Sequence, residues 1–338
     1  DLYAIRKGIA RNAAIVQILP DSTERKVCLV GDNPSPLRAD RYRGRLFWSE
    51  TLSDPRWEMR SYSVVRCMDA DGRVFDLTDR RSRYYNPAPC PVSDIVALTH
   101  YPSEGGSSIV VLDSFKGRKL EEYPQREGRR FIQCAWVDST LYASVSGKDG
   151  LGIIDVLSGE MILEEQSASL CELQGCEGEL FFVSDASGVN EIYRLSPGET
   201  PRRITSSRTG SSNFAVDSGN LFYTSLHVGG REIYRTALDE CLCEDDFLER
   251  DSDPMAEYIS SREEGKIDED MEVSIGEEEN YSRIAHAFRL HSWAPLYINY
   301  NAVSSMSMES LSSAAGLGAT LFFQNTLGSL YGFAGVSL

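Results

Sequence analysis

Two stretches of this sequence share one pattern, and that pattern decides the fold class. Residues 180–194 read LFFVSDASGVNEIYR, and residues 221–235 read LFYTSLHVGGREIYR. In each stretch a leucine and an aromatic residue open a short apolar run, a polar link with glycine follows, and a second run contains E-I-Y-R. Glycine and asparagine accept the positive φ angles of tight turns, so each stretch predicts a hairpin of two β-strands.

The same layout recurs along residues 1–238 with a period of about 40 to 50 residues. Residues 46–48 (LFW) are a first strand of this kind, residues 109–111 (IVV) are a second strand, and a more polar strand follows at residues 74–78. Six such units predict an all-β fold, namely a six-bladed β-propeller with four-stranded antiparallel blades. Because the first repeat opens directly at residues 2–4 (LYA), we expect the innermost strand of that repeat to be missing.

Residues 239–280 carry most of the negative charge. The formal net charge of the 338 residues is −17, and this segment is rich in Asp and Glu, with Arg250, Arg262 and Lys266 as its basic residues. Such a composition predicts a solvated acidic linker, with calcium or partner binding as the alternative. The rest of the chain is close to neutral, which argues against a nucleic-acid partner because phosphates require a positive surface.

Residues 281–338 follow the linker and show strand-like alternation again. Between residues 317 and 338, apolar side chains alternate with small or polar ones on both sides of a turn near residues 325–328. This pattern predicts a hairpin of the kind found in outer-membrane β-barrels, although ordinary hairpins share it. We therefore expect the chain to be part of a longer protein and to end where a barrel begins.

Two family resemblances extend these predictions. Asp185, Gly188 and residues 191–194 resemble the TolB-like and WD40-like propeller repeat, and residues 229–235 match it again. The runs YSRIAHAFRLHSWAPLY and LFFQNTLGSLYG resemble the junction in Bacteroidetes outer-membrane proteins that continue from such a propeller into a surface-antigen-type barrel. The resemblance implies a cell-envelope protein of the outer membrane, the periplasm or the cell surface.

The sequence predicts no catalytic residue, metal site or cofactor. The nucleophile motif G-x-S-x-G is missing, and its nearest approach, residues 105–109, has isoleucine in place of the last glycine. The four histidines form no H-E-x-x-H zinc motif. Residues 69–76 lack the closing glutamate of a calcium loop and are better explained as a turn.

The eight cysteines are scattered and show no metal-type spacing. We interpret them as small buried hydrophobic residues. A disulfide between Cys171 and Cys176, or one from Cys241 to a distant partner, is the alternative in an oxidising compartment.

Three residues are candidates for contact with a partner. His100 and His227 both follow a first strand, where turns meet one face of the predicted ring. Trp57 lies in a polar insert and is predicted to be the exposed tryptophan. Trp48 and Trp136 are predicted to pack between blades instead.

These features favour a non-catalytic propeller that binds a protein or peptide of the cell envelope. The C-terminal segment would tether it to the outer membrane. One alternative is the accessory propeller of an envelope peptidase whose catalytic domain lies outside this chain. Another is a carbohydrate-binding propeller that uses exposed aromatic residues.

Overall fold

The computed structural model of the protein divides it into two compact units, Asp1–Arg262 and Glu263–Leu338. Most of the predicted acidic linker lies outside the described residues, so the predicted boundaries at residues 238 and 280 stay predictions. The structure describes residues 1–40, 42–57, 59–126, 128–244, 280–299 and 314–338, together with residues 247, 255, 258–259, 261–262 and 276–277.

The described residues of the first unit form six antiparallel sheets that follow one another along the chain, numbered here sheet 1 to sheet 6. Within each sheet every strand pairs with the next one in sequence. Sheets 2 to 5 have four strands, and sheets 1 and 6 have three in the described part of the chain. The strands are β1 (Leu2–Gly8), β2 (Arg11–Ile18) and β3 (Glu24–Leu29) in sheet 1; β4 (Asp32–Ala39), β5 (Leu46–Ser53), β6 (Ser61–Met68) and β7 (Val74–Asp76) in sheet 2; β8 (Tyr84–Pro89), β9 (Ile95–His100), β10 (Ser108–Asp113) and β11 (Lys119–Pro124) in sheet 3; β12 (Arg130–Val137), β13 (Thr140–Ser146), β14 (Leu151–Asp155) and β15 (Met161–Gln166) in sheet 4; β16 (Cys171–Cys176), β17 (Glu179–Ser184), β18 (Glu191–Leu195) and β19 (Arg202–Arg203) in sheet 5; and β20 (Ser211–Asp217), β21 (Asn220–His227) and β22 (Gly230–Ala237) in sheet 6.

Apolar side chains fill the space between successive sheets. Phe182 faces sheet 4 and joins a buried cluster with Tyr142, whereas the adjacent Phe181 joins a cluster with Phe214 and Leu221 of sheet 6. Successive side chains of a strand point to opposite faces, so a continuous apolar run fits a strand that is covered on both sides. This explains why the second strand of each of sheets 2 to 6, which is the first apolar run of its repeat in the sequence, reads as an unbroken hydrophobic run. From here on, strands are counted by their order within each sheet.

The first strands of the sheets carry a recurrent irregularity. The register shifts after Tyr85 in β8, after Cys171 in β16 and after Ser212 in β20. A residue with positive φ lies at each shift, and these residues are Asn86 (φ 53°), Glu172 (φ 57°) and Asn213 (φ 51°). Such bulges bend a strand and increase its twist.

Side-chain contacts tie neighbouring first strands together. Asn86 Nδ2 donates to Ile132 O at 2.7 Å and Trp136 Nε1 donates to Ala88 O at 3.0 Å, so residue numbers rise together along β8 and β12. The same holds for β12 and β16, where the Leu173 N–H donates to Gln133 Oε1 at 2.9 Å and Gly175 lies against Trp136 O. It also holds for β16 and β20, where the Asn213 N–H donates to Glu172 and Gln174 Nε2 donates to Phe214 O at 2.6 Å. The first strands of sheets 3 to 6 therefore run side by side in one direction. This order gives the unit two distinct ends.

The prediction of an all-β fold with four-stranded antiparallel sheets is confirmed. Sheet 1 consists of β1, β2 and β3 in that order in the described part of the chain. After β22 the chain turns to sheet 5, where Glu244 pairs with Arg203 through backbone hydrogen bonds of 2.9 and 3.1 Å. Phe247 then packs edge-on against Tyr193, with ring centroids 5.2 Å apart.

The described residues of the second unit form two small antiparallel sheets, one of which includes the hairpin expected between residues 317 and 338. One face of the larger sheet carries exposed apolar residues, since Trp293, Leu321 and Ala334 lie beside one another on successive strands. None of the described helices is long and apolar enough to cross a membrane. The larger sheet is formed by β23 (Arg289–Ala294), β26 (Gly318–Gln324) and β27 (Tyr331–Ser337), and the smaller by β24 (Tyr297–Ile298) and β25 (Ala315–Gly316).

Candidate protein-binding face

The turns between the second and third strands lie together at one end of the first unit. A parallel bridge between Ser63 and Arg83 shows that β6 and β8 begin at the same end of sheets 2 and 3. Sheet 1 has its β1–β2 turn at this end too. Only Val30 and Gly31 separate β3 from β4, so β3 ends where β4 begins, and in an antiparallel sheet β2 begins at the end where β3 ends. We call this surface the turn face, and it comprises residues 9–10, 54–57, 59–60, 101–107, 147–150, 185–190 and 228–229.

Apolar side chains project from the tips of several of these turns. Ile9, Met59 and Val228 are essentially fully exposed, at 111%, 97% and 110% of their reference areas, and Val189 is exposed to a lesser degree. Glycine and polar residues are the usual residues of turns, and they would expose less apolar surface at these positions. Apolar residues are also exposed at the opposite end of the sheets, where Val92 and Leu157 are 57% and 72% exposed, but those at the tips of the turn face are exposed more fully. Fully exposed apolar side chains are candidates for contact with a protein partner.

The predicted contact residue His100 is held by polar neighbours at the edge of this face. Its Nε2 lies 2.8 Å from Ser82 Oγ, and its ring stacks on Tyr84 with centroids 4.4 Å apart. Its Nδ1 is 3.8 Å from Glu122 Oε1, which is beyond hydrogen-bond range, and Ser108 Oγ contacts both groups, at 3.4 Å from Nδ1 and 2.9 Å from Oε1. The direct imidazole–carboxylate hydrogen bond of a serine-hydrolase triad is therefore not formed here.

Stability is expected to depend on pH through His100. Burial lowers the pKa of His100, and the nearby Glu122 carboxylate opposes this only in part. The unfolded chain then binds a proton more readily than the folded one, so the free energy of unfolding falls as the pH drops below the ordinary histidine pKa of about 6.5. Urea unfolding measures this effect. Between about pH 7.5 and about pH 5.5, the free energy of unfolding should fall less for His100→Gln than for the wild type. An equal fall in the free energy of unfolding for both proteins would show that His100 is not the source of this pH dependence.

The other two predicted contact residues lie in different sheets from His100, so the structure does not gather the three into one pocket. His227 ends β21 in sheet 6, is exposed, and has Nε2 2.6 Å from the hydroxyl of Tyr234. Trp57 is only half-exposed in its turn of sheet 2, where the Arg56 guanidinium lies 4.9 Å from the ring centroid. All three nevertheless lie on or beside the turn face.

The exposure expected for Trp57 is wrong, because Trp293 in the second unit is the exposed tryptophan, at 63%. Trp57 is partly covered because its backbone N–H is bound by Asp54 Oδ1 at 3.0 Å, which folds the insert into a compact turn. Trp48 is fully buried, as predicted. Trp136 is half-buried and donates from Nε1 to Ala88 O at 3.0 Å, a contact between sheets 4 and 3.

Two charged residues lie among the first strands. The Arg38 guanidinium of sheet 2 reaches Leu173 O of sheet 5 at 3.4 Å, and burial lowers the pKa of Arg38 to about 10 despite the nearby Glu172 carboxylate. Burial also raises the pKa of Glu172, although the Asn213 N–H donates to this carboxylate. These groups link the interior edges of sheets 2, 5 and 6. Their residue types and spacing do not mark them out in the sequence.

The cysteine side chains are not joined in disulfides. None of the eight forms one, so the alternative disulfide between Cys171 and Cys176 is not formed. Burial raises the pKa of both Cys67 and Cys134 to about 12, which keeps these thiols protonated and poorly reactive. No group of three or more His, Cys, Asp or Glu side chains is placed to hold a metal ion among the residues that the structure describes.

No model of a known protein family matches the sequence, and no curated protein matches it. Similar solved structures include the β-propeller domain of the Trilobed protease from Pyrococcus furiosus, with 12% identity over 70% of this chain and 92% of that one and a TM-score of 0.47. TolB from Acinetobacter baumannii has 12% identity over 98% and 78%, with a TM-score of 0.47. The acylaminoacyl peptidase of Pyrococcus horikoshii has 13% identity over 95% and 48%, with a TM-score of 0.46.

Proposed function

We propose that this chain is a six-bladed, TolB-like propeller of the cell envelope that binds a protein or peptide on its turn face and catalyses no reaction. The observation that carries the proposal is the set of exposed apolar side chains at the turn tips, above all Ile9, Met59 and Val228. A rigid series of sheets that presents variable turns at one end is a common way to position binding residues. The polar, partly buried His100 borders the same surface.

We further propose that the second unit attaches the propeller to the outer membrane as the start of a β-barrel. The exposed apolar face around Trp293 and Leu321 supports this proposal, because strands of such barrels present apolar side chains to lipid. The opposite face is more closely packed, since the fully buried Thr320 hydroxyl donates to Leu296 O at 3.0 Å. Strands of outer-membrane β-barrels typically alternate in this way between outward apolar and inward polar positions.

Capture from envelope extracts tests the binding proposal. The full chain is immobilised and compared with a variant carrying Ile9→Ser, Met59→Ser and Val228→Ser, and with a control variant carrying Val92→Ser and Leu157→Ser at exposed positions on the other end of the sheets. We expect the turn variant to lose at least about tenfold of the captured partner, because several buried apolar contacts are removed together. The control should retain it.

Two outcomes would contradict the proposal. Equal recovery of the partner by the turn variant and the wild type would move the binding surface elsewhere. Failure to capture any partner, combined with recovery of the protein in the soluble fraction of its cells, would count against both the binding role and the membrane attachment.

A further inference from the structure

A groove on the turn face lies beside the junction of sheets 3 and 4. It has a volume of about 370 Å³, within the range of small-ligand sites. Arg83, Tyr101, Pro102, Gln125 and Arg130 form its walls, and three glycines complete the lining without side chains to fill it. A groove of this size accommodates one or two residues of a peptide rather than a whole folded surface.

Two guanidinium groups contact Tyr101, that of Arg83 at the backbone carbonyl and that of Arg130 at the ring. Arg83 is fixed by backbone carbonyls, since its Nε donates to Tyr101 O at 3.3 Å and its Nη2 donates to Pro102 O at 3.2 Å. The Arg130 guanidinium lies 4.6 Å from the centroid of the Tyr101 ring. Tyr101 is itself held by a 2.8 Å hydrogen bond from its hydroxyl to Phe131 O. Arginine has five N–H donors, so these contacts leave donors of both side chains for a ligand.

The charges of these two arginines are not balanced by carboxylates within the described part of the chain, where neither forms an ion pair. Their sequence neighbours behave differently, because Arg80 pairs with Asp76 and Arg129 pairs with Glu165, each at 2.6 Å. In a protein with a formal net charge of −17, acidic side chains are abundant. Two arginines positioned by backbone and ring contacts instead are well suited to an anion from outside.

We propose that this groove binds the carboxylate of a peptide. The proposal rests on the binding role of the turn face and specifies the ligand chemistry at one point of it. The guanidinium groups of Arg83 and Arg130 bind the carboxylate oxygens in the planar fork geometry that arginine provides. Tyr101 and Pro102 contact the apolar part of the same ligand residue. A C-terminal carboxylate and an Asp or Glu side chain supply the same chemistry, and the experiment distinguishes them.

Three matched arrays of random octapeptides provide the test, with the labelled full chain as the probe protein. The first array has free C-terminal carboxylates, the second has amidated C-termini and no acidic residues, and the third has amidated C-termini with one internal Asp or Glu. We expect amidation without an acidic residue to weaken binding by at least about tenfold, because a charge-assisted fork contact is lost. Full binding on the third array would assign the groove to acidic side chains, and loss there would assign it to peptide C-termini.

Variants of the two arginines complete the test. Arg83→Gln and Arg130→Gln should each remove the preference for carboxylate-bearing peptides, and Arg83→Lys should reduce it, because lysine keeps the charge but not the fork. Arg126→Gln, an exposed arginine of the same link outside the groove, should keep the preference. Melting temperatures close to that of the wild type would show that the variants are folded.

The proposal is overturned if the wild type binds the carboxylate and amidated arrays equally, or if Arg83→Gln and Arg130→Gln keep the preference. Equal binding to all three arrays would leave the peptide-binding role of the turn face standing. Absence of binding to every array would overturn the carboxylate site, and the capture experiment would then decide separately whether the turn face binds a folded protein.

Discussion

Replacing Arg45 with methionine is expected to lower the free energy of unfolding by about 3–5 kcal/mol, because it leaves a buried carboxylate without its counter-ion. The Arg45 side chain is 4% exposed and that of Asp40 is 2% exposed, with Arg45 Nη2 2.7 Å from Asp40 Oδ2. Arg45 also donates to Ser114 O at 3.2 Å, and its guanidinium lies 4.4 Å from the Phe115 ring centroid. The substitution therefore also removes a link between sheets 2 and 3.

Urea unfolding of the wild type and the variant measures this loss, and Arg43→Met is the matched control. Arg43 belongs to the same turn and pairs with Asp94 at 2.9 Å, but its side chain is 49% exposed. Exposed ion pairs contribute little to stability, so the control should lose much less than Arg45→Met. Similar losses in both variants would show that burial of the Arg45–Asp40 pair does not make Arg45 more important for stability than the exposed Arg43.

Replacing Gly175 with alanine is the second change with a large expected effect, a loss of about 2–4 kcal/mol. A Cβ atom at this position would lie 2.0 Å from Trp136 O and 2.8 Å from Val137 Cγ2. Both contacts are with β12, so the first strands of sheets 4 and 5 would have to move apart. The close approach of these two strands explains why this position requires a residue without a side chain.

The control for Gly175→Ala is Gly229→Ala, at a turn where an added Cβ meets no atom within 4 Å. Thermal unfolding followed by circular dichroism should show a clear decrease in melting temperature for the first variant. The control should stay within about 0.5 kcal/mol of the wild type, as surface substitutions usually do. A stable Gly175→Ala protein would contradict the observed spacing of sheets 4 and 5.

Local features of the sequence predicted much of this fold. The apolar run at residues 180–183 and the E-I-Y-R motif at residues 191–194 lie in β17 and β18, as their alternation and the intervening turn indicated. The burial of Trp48 followed from its position inside an apolar run. Such predictions are correct because they depend on neighbouring residues alone. Side chains alternate between the two faces of a strand, and a turn requires particular residue types at adjacent positions.

The features that sequence reasoning missed depend on contacts between distant residues. Arg83 and Arg130 meet at one groove only because sheets 3 and 4 are adjacent, and the arginine-rich stretches at residues 80–83 and 126–130 were the available signal. The path of Glu244 to the edge of sheet 5 is equally nonlocal. The exposure predicted for Trp57 was wrong for a local reason. The polar insert suggested an exposed side chain, but the turn is compact because Asp54 binds the Trp57 backbone N–H.

Site-specific photo-crosslinking in cells tests the central claim, that a partner binds the turn face, most directly. A photoreactive phenylalanine analogue is placed at Met59 or Val228 on the turn face, and at Val92 or Leu157 at the opposite end of the sheets, all of which are exposed. We expect the two turn-face positions to yield crosslinks to one and the same envelope protein, and the opposite positions to yield none to it. Crosslinks to that protein from Val92 or Leu157, with none from Met59 or Val228, would contradict the account.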